Sequence, residues 1–402
     1  MVRRPSEPDP ANTGVGSIYF LSESSSTSDV AVVGGGAIGL AIAWRAAQRG
    51  LRVTVLERDE PAEGTSRVAA GMLAPIAEAR FTERPLLRLN LAGVKAYPRF
   101  VDELRDASEM DPGYLRCGTL LAARDRDDAE ELERELHVRL DLGLAVRRLR
   151  ASEARRLEPA LTPSLRLALE AAEDHVVDPR RLTAALGEAC RRAGVRVRAG
   201  AEVAAVEISG HVEGVRLTDG AVLRAERVVI AAGAWSGQIG GLPPKARVPI
   251  HPVKGQILRL HDPSGPGLIQ HVIRMGGSYV VPRGDGRYVI GATMEERGFD
   301  TAVTAGAVFE LLRDAAELIP GVSELVIDEL SAGLRPATPD NAPAIGAGAV
   351  PGLVWAVGHN RNGILLTPIT ADIVAGTLIG EPSPELAVPF VPERFAAIPV
   401  GA

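Results

Sequence analysis

Three textures of apolar and polar positions alternate along this chain. Residues 30–33, Val-Ala-Val-Val, form an unbroken apolar run, the pattern of a strand buried on both faces. A glycine-rich turn follows at 34–36, then a helical pattern over 37–49 that Gly50 stops. Residues 52–57 read as a second strand, so this region predicts a βαβ unit. Leu86, Leu87, Leu89, Leu91, Phe100 and Leu104 predict a helix over 85–109. Residues 117–123 read as a strand, and 127–141 as a charged helix with a solvated face. Asp178-Pro179 is a helix entry, an N-cap followed by proline at the first helical position, and that helix ends at Gly194. A meander over 195–197, 203–208 and 212–217 comes next, and 228–233 is again a buried strand. The texture then turns antiparallel, with long strands over 247–260 and 270–293 and a hairpin turn at 284–286. A helix over 305–318, a buried strand over 353–358 and a helix from Asn362 to about Leu378 close the pattern.

Parallel-type strands near 30, 228 and 353 enclose antiparallel material. This predicts two interleaved domains: 29–113, 174–247 and 325–380 in the nucleotide-binding one, 114–173 and 248–324 in a substrate domain. Residues 1–28 read as a disordered leader and 381–402 as a C-terminal tail.

Composition narrows the function. The chain has 402 residues, 46% hydrophobic and 24% charged, with a formal net charge of −6, which suits a soluble enzyme and disfavours nucleic acid as a partner. No stretch reaches the roughly 18 apolar residues of a membrane span. Cys117 and Cys190 cannot build a disulfide framework or a four-ligand zinc site, and they fit a cytoplasmic location. No nucleophile triad or metal-ligand spacing stands out, so the chemistry falls to a cofactor.

Gly34-x-Gly36-x-x-Gly39 is the fingerprint that lets a pyrophosphate approach the backbone at a helix N-terminus. Glu57, ending the second strand, supplies a carboxylate for ribose hydroxyls. The small residues around Thr65-Ser66 and Ala70-Gly71-Met72 permit close approach of a ligand. Arg335, between Gly333-Leu334 and Pro336, can take a carboxylate bidentately or can pair with a structural acid such as Asp340.

These motifs, with 232–236 (Ala-Gly-Ala-Trp-Ser) and 358–364 (Gly-His-Asn-Arg-Asn-Gly-Ile), resemble in their order the FAD-dependent amine oxidase family that includes D-amino-acid oxidase, sarcosine oxidase and glycine oxidase. Val253-Lys254-Gly255, Tyr279-x-Val281-Pro282-Arg283, Gly291-Ala292-Thr293-Met294 and 361–366 look most similar to glycine oxidase of thiamine biosynthesis. The resemblance spans about 29–380. It implies an α/β fold, a Rossmann-type FAD-binding domain interleaved with an α+β antiparallel-sheet substrate domain.

The resemblance also implies roles. Ala37, Ile38, Glu57 and Arg58 would hold the adenosine and ribose end of FAD, beside the cofactor-binding turn of Gly34, Gly36 and Gly39. Thr65, Ser66, Ala70, Gly71 and Met72 would line its pyrophosphate and flavin, Val203 would meet the adenine, and Gly233 would belong to the same cradle. His359, Asn360, Arg361, Asn362, Gly363, Ile364 and Leu365 would wrap the flavin. Arg335 and Tyr279 would anchor a substrate carboxylate, with Met294 as an apolar wall and Arg361 beside them. Gly277, where some glycine oxidases carry His, and Ile76 would shape amine recognition.

The expected reaction is oxidation of glycine, sarcosine or a small D-amino acid, with O2 as acceptor and no catalytic side chain. A quinone-linked D-amino-acid dehydrogenase, a sarcosine oxidase and a non-catalytic nucleotide-binding protein are the alternatives. Some family members attach flavin through a cysteine near the last glycine motif. No cysteine follows Cys190 here, so FAD is expected to be held non-covalently. The resemblance further suggests a homo-oligomer, a tetramer.

Overall fold

The computed structural model describes residues 28–396, so the expected leader, Ser28 apart, lies outside the described residues. The apolar runs assemble as parallel strands in the order Arg196–Arg198, Val53–Leu56, Ser28–Val33, Val222–Ile230 and Leu353–Val357, with Ala344–Ala347 antiparallel at the edge. Val222–Ile230 serves two layers. Its last residues pair with Ser28–Val33, while its first half joins His211–Leu217 and Val203–Ser209 in the antiparallel meander.

Helices Ala37–Gln48, Arg84–Ser108, Pro179–Arg192 and Thr367–Leu378 cover one face of the parallel sheet. Their core contains Leu40, Trp44, Phe100, Leu182 and Val374, and Trp44 meets Phe100 edge to face at 5.7 Å. Burying each large apolar side chain contributes about 1.5–3 kcal/mol. The meander covers the other face through Val206 and Val215, with Ile239 packed beside them. Asp178 caps the Pro179–Arg192 helix by accepting from the Arg180 N–H at 3.0 Å, as the Asp-Pro entry predicts.

A second sheet runs Val326–Ala337, His251–His261, Arg287–Gly291, Ser278–Pro282, Val272–Met275, Thr119–Ala123, Leu167–Ala171 and Arg147–Arg150. Every neighbouring pair is antiparallel except Val272–Met275 with Thr119–Ala123. Helix Ala305–Leu318 packs Leu311, Ala315 and Leu318 onto one face of this sheet. The other face looks toward the first glycine turn. The architecture is thus an α/β fold with a Rossmann-type sheet interleaved with a largely antiparallel one.

Three expectations change. Val326–Ala337 begins where the third nucleotide-binding segment was expected, yet it pairs along its length with His251–His261 and so belongs to the second sheet. The closing helix starts at Thr367, not Asn362, because residues 360–362 form a separate 3-10 turn. The segment read as a C-terminal tail packs onto the fold over its described part: Phe390 and Phe395 are buried against the two sides of the parallel sheet.

Candidate active site

A cleft of about 760 Å³ runs between the first glycine turn and the bare face of the second sheet. At one end Gly34 takes φ +106°, and a Cβ there would sit 2.5 Å from the Ala231 carbonyl oxygen. Gly39 allows the helix to close on the turn, since its Cβ would meet the Gly34 carbonyl oxygen. The Ala37 N–H donates to Ser66 Oγ at 3.0 Å, while the Ile38 N–H at the same helix start has no partner among the described residues. Glu57 accepts from the Gly35 N–H at 2.6 Å and the Asp59 N–H at 3.1 Å, which fixes its carboxylate beside the glycine turn. Glycines without room for a Cβ, an unpartnered N–H and a held carboxylate fit a dinucleotide's phosphates and ribose.

Register builds the other end. Arg335 pairs with Val253, Gly333 with Gly255, Ile257 with Gly291, Gly291 with Tyr279, and Tyr279 with Arg274. Paired residues and residues two apart share a face, so Arg335, Tyr279 and Arg274 all rise from the same side of the sheet. Glycines keep the space between them clear. A Cβ on Gly255 would lie 2.5 Å from Arg335 Nη1, and one on Gly291 would lie 2.6 Å from the Tyr279 hydroxyl. Gly333 does the same for Val68, whose Cβ would be 3.0 Å away. Thr65 Oγ1 donates to the Leu334 carbonyl at 2.6 Å, which ties the two ends of the cleft together.

Arg335 donates only to the carbonyls of Thr293 (3.1 Å) and Lys254 (3.4 Å), and it has no carboxylate partner among the described residues. Asp340, the structural partner weighed for it, pairs with Arg394 at 2.8 Å instead. Tyr279 is buried, and desolvation pushes its hydroxyl up from the ordinary tyrosine range. It is therefore a neutral donor at physiological pH.

The remaining wall is ionic. Glu78 meets Arg274 at 2.9 Å and Arg361 at 3.6 Å, and Arg361 also bonds Glu83 at 2.7 Å. Arg361 lines the cleft, but its charge is already engaged. Backbone at 76–77 holds Glu78 in place: Asp174 accepts from the Ile76 and Ala77 N–H groups, and the buried Arg139 donates to their carbonyls. Burial pushes the Asp174 carboxyl up to about 7, against the pull of those two N–H bonds.

His359 lines the cleft with Nε2 3.0 Å from Thr370 Oγ1, and burial lowers it to about 3, so it stays neutral. Most expected cofactor residues line the same space: Gly34, Gly36, Ala37, Ile38, Glu57, Arg58, Thr65, Ser66, Ala70, Gly71, Met72, Val203, Gly233, Asn360, Gly363 and Ile364. Gly39, Asn362 and Leu365 do not; Asn362 and Leu365 turn into the interior. Met294 stands at the rim with 66% of its surface exposed, so it is an edge and not a wall. Gly277 lines the cleft, whereas Ile76 is buried behind it.

Several contributors carried no local signal. Glu78, Arg274 and Ile257 are ordinary residues in sequence, and only strand register brings them here. Gly255 was legible as part of a motif, but not as the space for a guanidinium.

The chain is 37% identical to a glycine oxidase of Geobacillus kaustophilus over 356 residues, covering 86% of this chain and 92% of that protein. It is 36% identical to the bifunctional protein ThiO/ThiG of Synechocystis over 92% of this chain, but it spans only 54% of that protein, about half the length of such bifunctional relatives. The crystal structure of glycine oxidase from Geobacillus kaustophilus superposes with a TM-score of 0.85 at 34% identity, covering 91% of this chain and 98% of that one. A crystal structure of iminodiacetate oxidase from Chelativorans gives 0.82 at 30% identity, covering 90% and 98%. The family model described as FAD dependent oxidoreductase matches residues 29–377, and the chain belongs to that family.

Proposed function

We propose that this protein oxidises glycine, or another small amino acid such as sarcosine or D-alanine, at the expense of O2. The observation that carries the reading is Arg335, a guanidinium in the cleft without a carboxylate partner among the described residues, on the same sheet face as the Tyr279 hydroxyl. A substrate carboxylate bonded by both would be held by a charge-assisted pair and a neutral donor.

Bound FAD would supply the two-electron acceptor for hydride from the substrate α-carbon. Gly34, Ile38 and Glu57 would hold its dinucleotide end, and Thr65 to Met72 with 359–364 its flavin end. The chain's own task is orientation. Arg335 and Tyr279 would fix the carboxylate so that the α C–H lies about 3–3.5 Å from its acceptor. The amine must be neutral, and the positive Arg335 in a desolvated cleft lowers an ammonium pKa without a dedicated base. His359 is already bonded to Thr370, and Glu78 is held by arginines, so neither is a free base. In the balanced reaction the amino acid gives up two electrons and two protons as imine, and O2 takes them as hydrogen peroxide. Water then converts the imine to an oxo acid and ammonia. Release of glycine imine to thiazole formation in thiamine synthesis is the further role that the resemblance supports.

Neither cysteine lines the cleft, and burial pushes both thiols up to about 12, which supports non-covalent FAD. No helix among the described residues is long and apolar enough to cross a membrane. A cytoplasmic homo-oligomer remains part of the proposal.

The test is a peroxide-coupled screen of glycine, sarcosine, D-alanine and D-proline with purified, FAD-loaded protein. Glycine should bleach the flavin absorbance and yield peroxide and glyoxylate in equal amounts. Bleaching followed by slow reoxidation in air would instead support the quinone-linked dehydrogenase. No bleaching by any amino acid would overturn the reading.

A further inference from the structure

Two half-buried arginines near the cleft remain without a task. Arg283 ends the Tyr279-x-Val281-Pro282-Arg283 motif, and Arg259 lies on the His251–His261 strand. Neither has a carboxylate ion-pair partner among the described residues, and in both the Nε is buried without a hydrogen bond. Burial lowers the affinity of both for their protons. Even partial burial of a cation without a carboxylate is costly, so its bonds to fixed groups matter.

Their bonds converge on one segment. Arg283 Nη2 donates to the Ala70 carbonyl at 2.7 Å and Nη1 to the Val177 carbonyl at 3.1 Å. Arg259 Nη2 donates to the Arg67 carbonyl at 2.7 Å, which Arg180 Nε also reaches at 3.2 Å. The segment so held continues into the cleft wall through Val68, Ala69, Ala70 and Gly71.

In a trans peptide the C=O and the next N–H point in opposite directions. A guanidinium on the Ala70 carbonyl therefore turns the Gly71 N–H away from Arg283. That N–H has no partner among the described residues. Gly71 takes φ +78°, a Cβ there would collide with the Val177 carbonyl that Arg283 also binds, and the Gly71 carbonyl accepts from the Val177 N–H at 2.9 Å.

We propose that Arg283, supported by Arg259, is a positioning residue for the cofactor: it fixes the 70–71 peptide so that its N–H is presented to bound FAD. Both arginines come from the substrate sheet, so they also set the distance of the flavin from that sheet. The inference rests on the reading of the cleft as an FAD site.

The test is FAD titration of apoprotein, followed by flavin fluorescence quenching and by the visible spectrum of the bound form. Apoprotein thermal unfolding is measured alongside. The variants are Arg283→Met, Arg283→Lys and Arg259→Met, with Arg45→Met as a remote control that also removes a largely buried arginine. Arg283→Met should raise the FAD Kd at least about tenfold, the equivalent of one hydrogen bond to a charged group. It should also shift the visible band, and Arg283→Lys should recover part of both. Arg259→Met should raise the Kd by about threefold or more by the same reasoning. A Kd within twofold of wild type in both Met variants would overturn the proposal, as would an equal loss in Arg45→Met. If Arg283→Met yields no folded protein, Arg283→Lys and Arg259→Met decide on the same criterion: any Kd rise must come without an equal fall in apoprotein melting temperature. Failure of the wild type to bind FAD would instead defeat the cofactor reading itself.

Discussion

Gly255 and Arg335 occupy one space: a single added carbon on Gly255 would lie 2.5 Å from both terminal nitrogens of the guanidinium. The glycine is there because the arginine must lie flat across the sheet to face the cleft. Gly255→Ala should therefore displace Arg335 without removing its charge. We expect kcat/KM for the best amino acid to fall about 10- to 100-fold through misplacement of the bound substrate. Steady-state kinetics beside a thermal melt would check this, and an unchanged kcat/KM would contradict it.

Removal of the anchor itself should cost more. Arg335→Ala deletes the proposed partner of the substrate carboxylate, and kcat/KM should fall at least about 100-fold, as expected for loss of a desolvated charge pair. The FAD Kd should stay near the wild-type value. Tyr279→Phe keeps the ring against Gly291 and removes one neutral hydrogen bond, so a loss of about 3- to 15-fold is expected. A Tyr279→Phe loss equal to that of Arg335→Ala would show that the hydroxyl is the principal anchor.

Arg361 should behave differently from Arg335. Its guanidinium already bonds Glu83 at 2.7 Å and approaches Glu78 at 3.6 Å. Arg361→Met should raise KM less than about fivefold, in keeping with a group that shapes the wall and does not carry the substrate. A KM increase matching that of Arg335→Ala would assign it the carboxylate.

Asp174 should leave a mark on stability against pH. Burial raises its folded-state pKa from 3.8 to about 7. The folded state thus binds the proton more tightly than the unfolded chain does. The destabilising contribution is absent below pH 4, grows between pH 4 and 7, and is complete above 7. Asp174→Asn loses one acceptor for the Ile76 and Ala77 N–H groups at every pH, but it escapes this penalty. The variant should compare better with wild type at pH 8 than at pH 5 in denaturant unfolding, and the reverse order would refute the assignment.

FAD should leave with the fold. Both cysteines lie outside the cleft with their thiols pushed up to about 12. Acid precipitation should release all yellow colour into the supernatant. Flavin retained on the pellet would mean a covalent bond to another residue.

Local pattern was enough for much of this molecule. Val30 to Val33, the glycine turn and Glu57 announce a dinucleotide site because strand, turn and helix are each encoded within a few neighbouring residues. Asp178-Pro179 announces its helix for the same reason, since a cap bonds only to the next turn. Arg335 stood out through its glycine and proline neighbours, but its freedom from Asp340 did not, because that depends on Arg394 reaching Asp340 from 54 residues away. The boundary at 325 and the helix start at 362 were misplaced because apolar texture does not say which sheet a strand will join or where a turn ends. Register across five strands brought Arg335, Tyr279 and Arg274 to one face, and Gly255 and Gly291 leave room for the Arg335 and Tyr279 side chains. The chain by itself determined the kind of cofactor cradle and the residue able to hold a carboxylate. Only tertiary structure decided which charges remain free in the cleft, because ion pairing and burial depend on residues that are distant in sequence and adjacent only after folding.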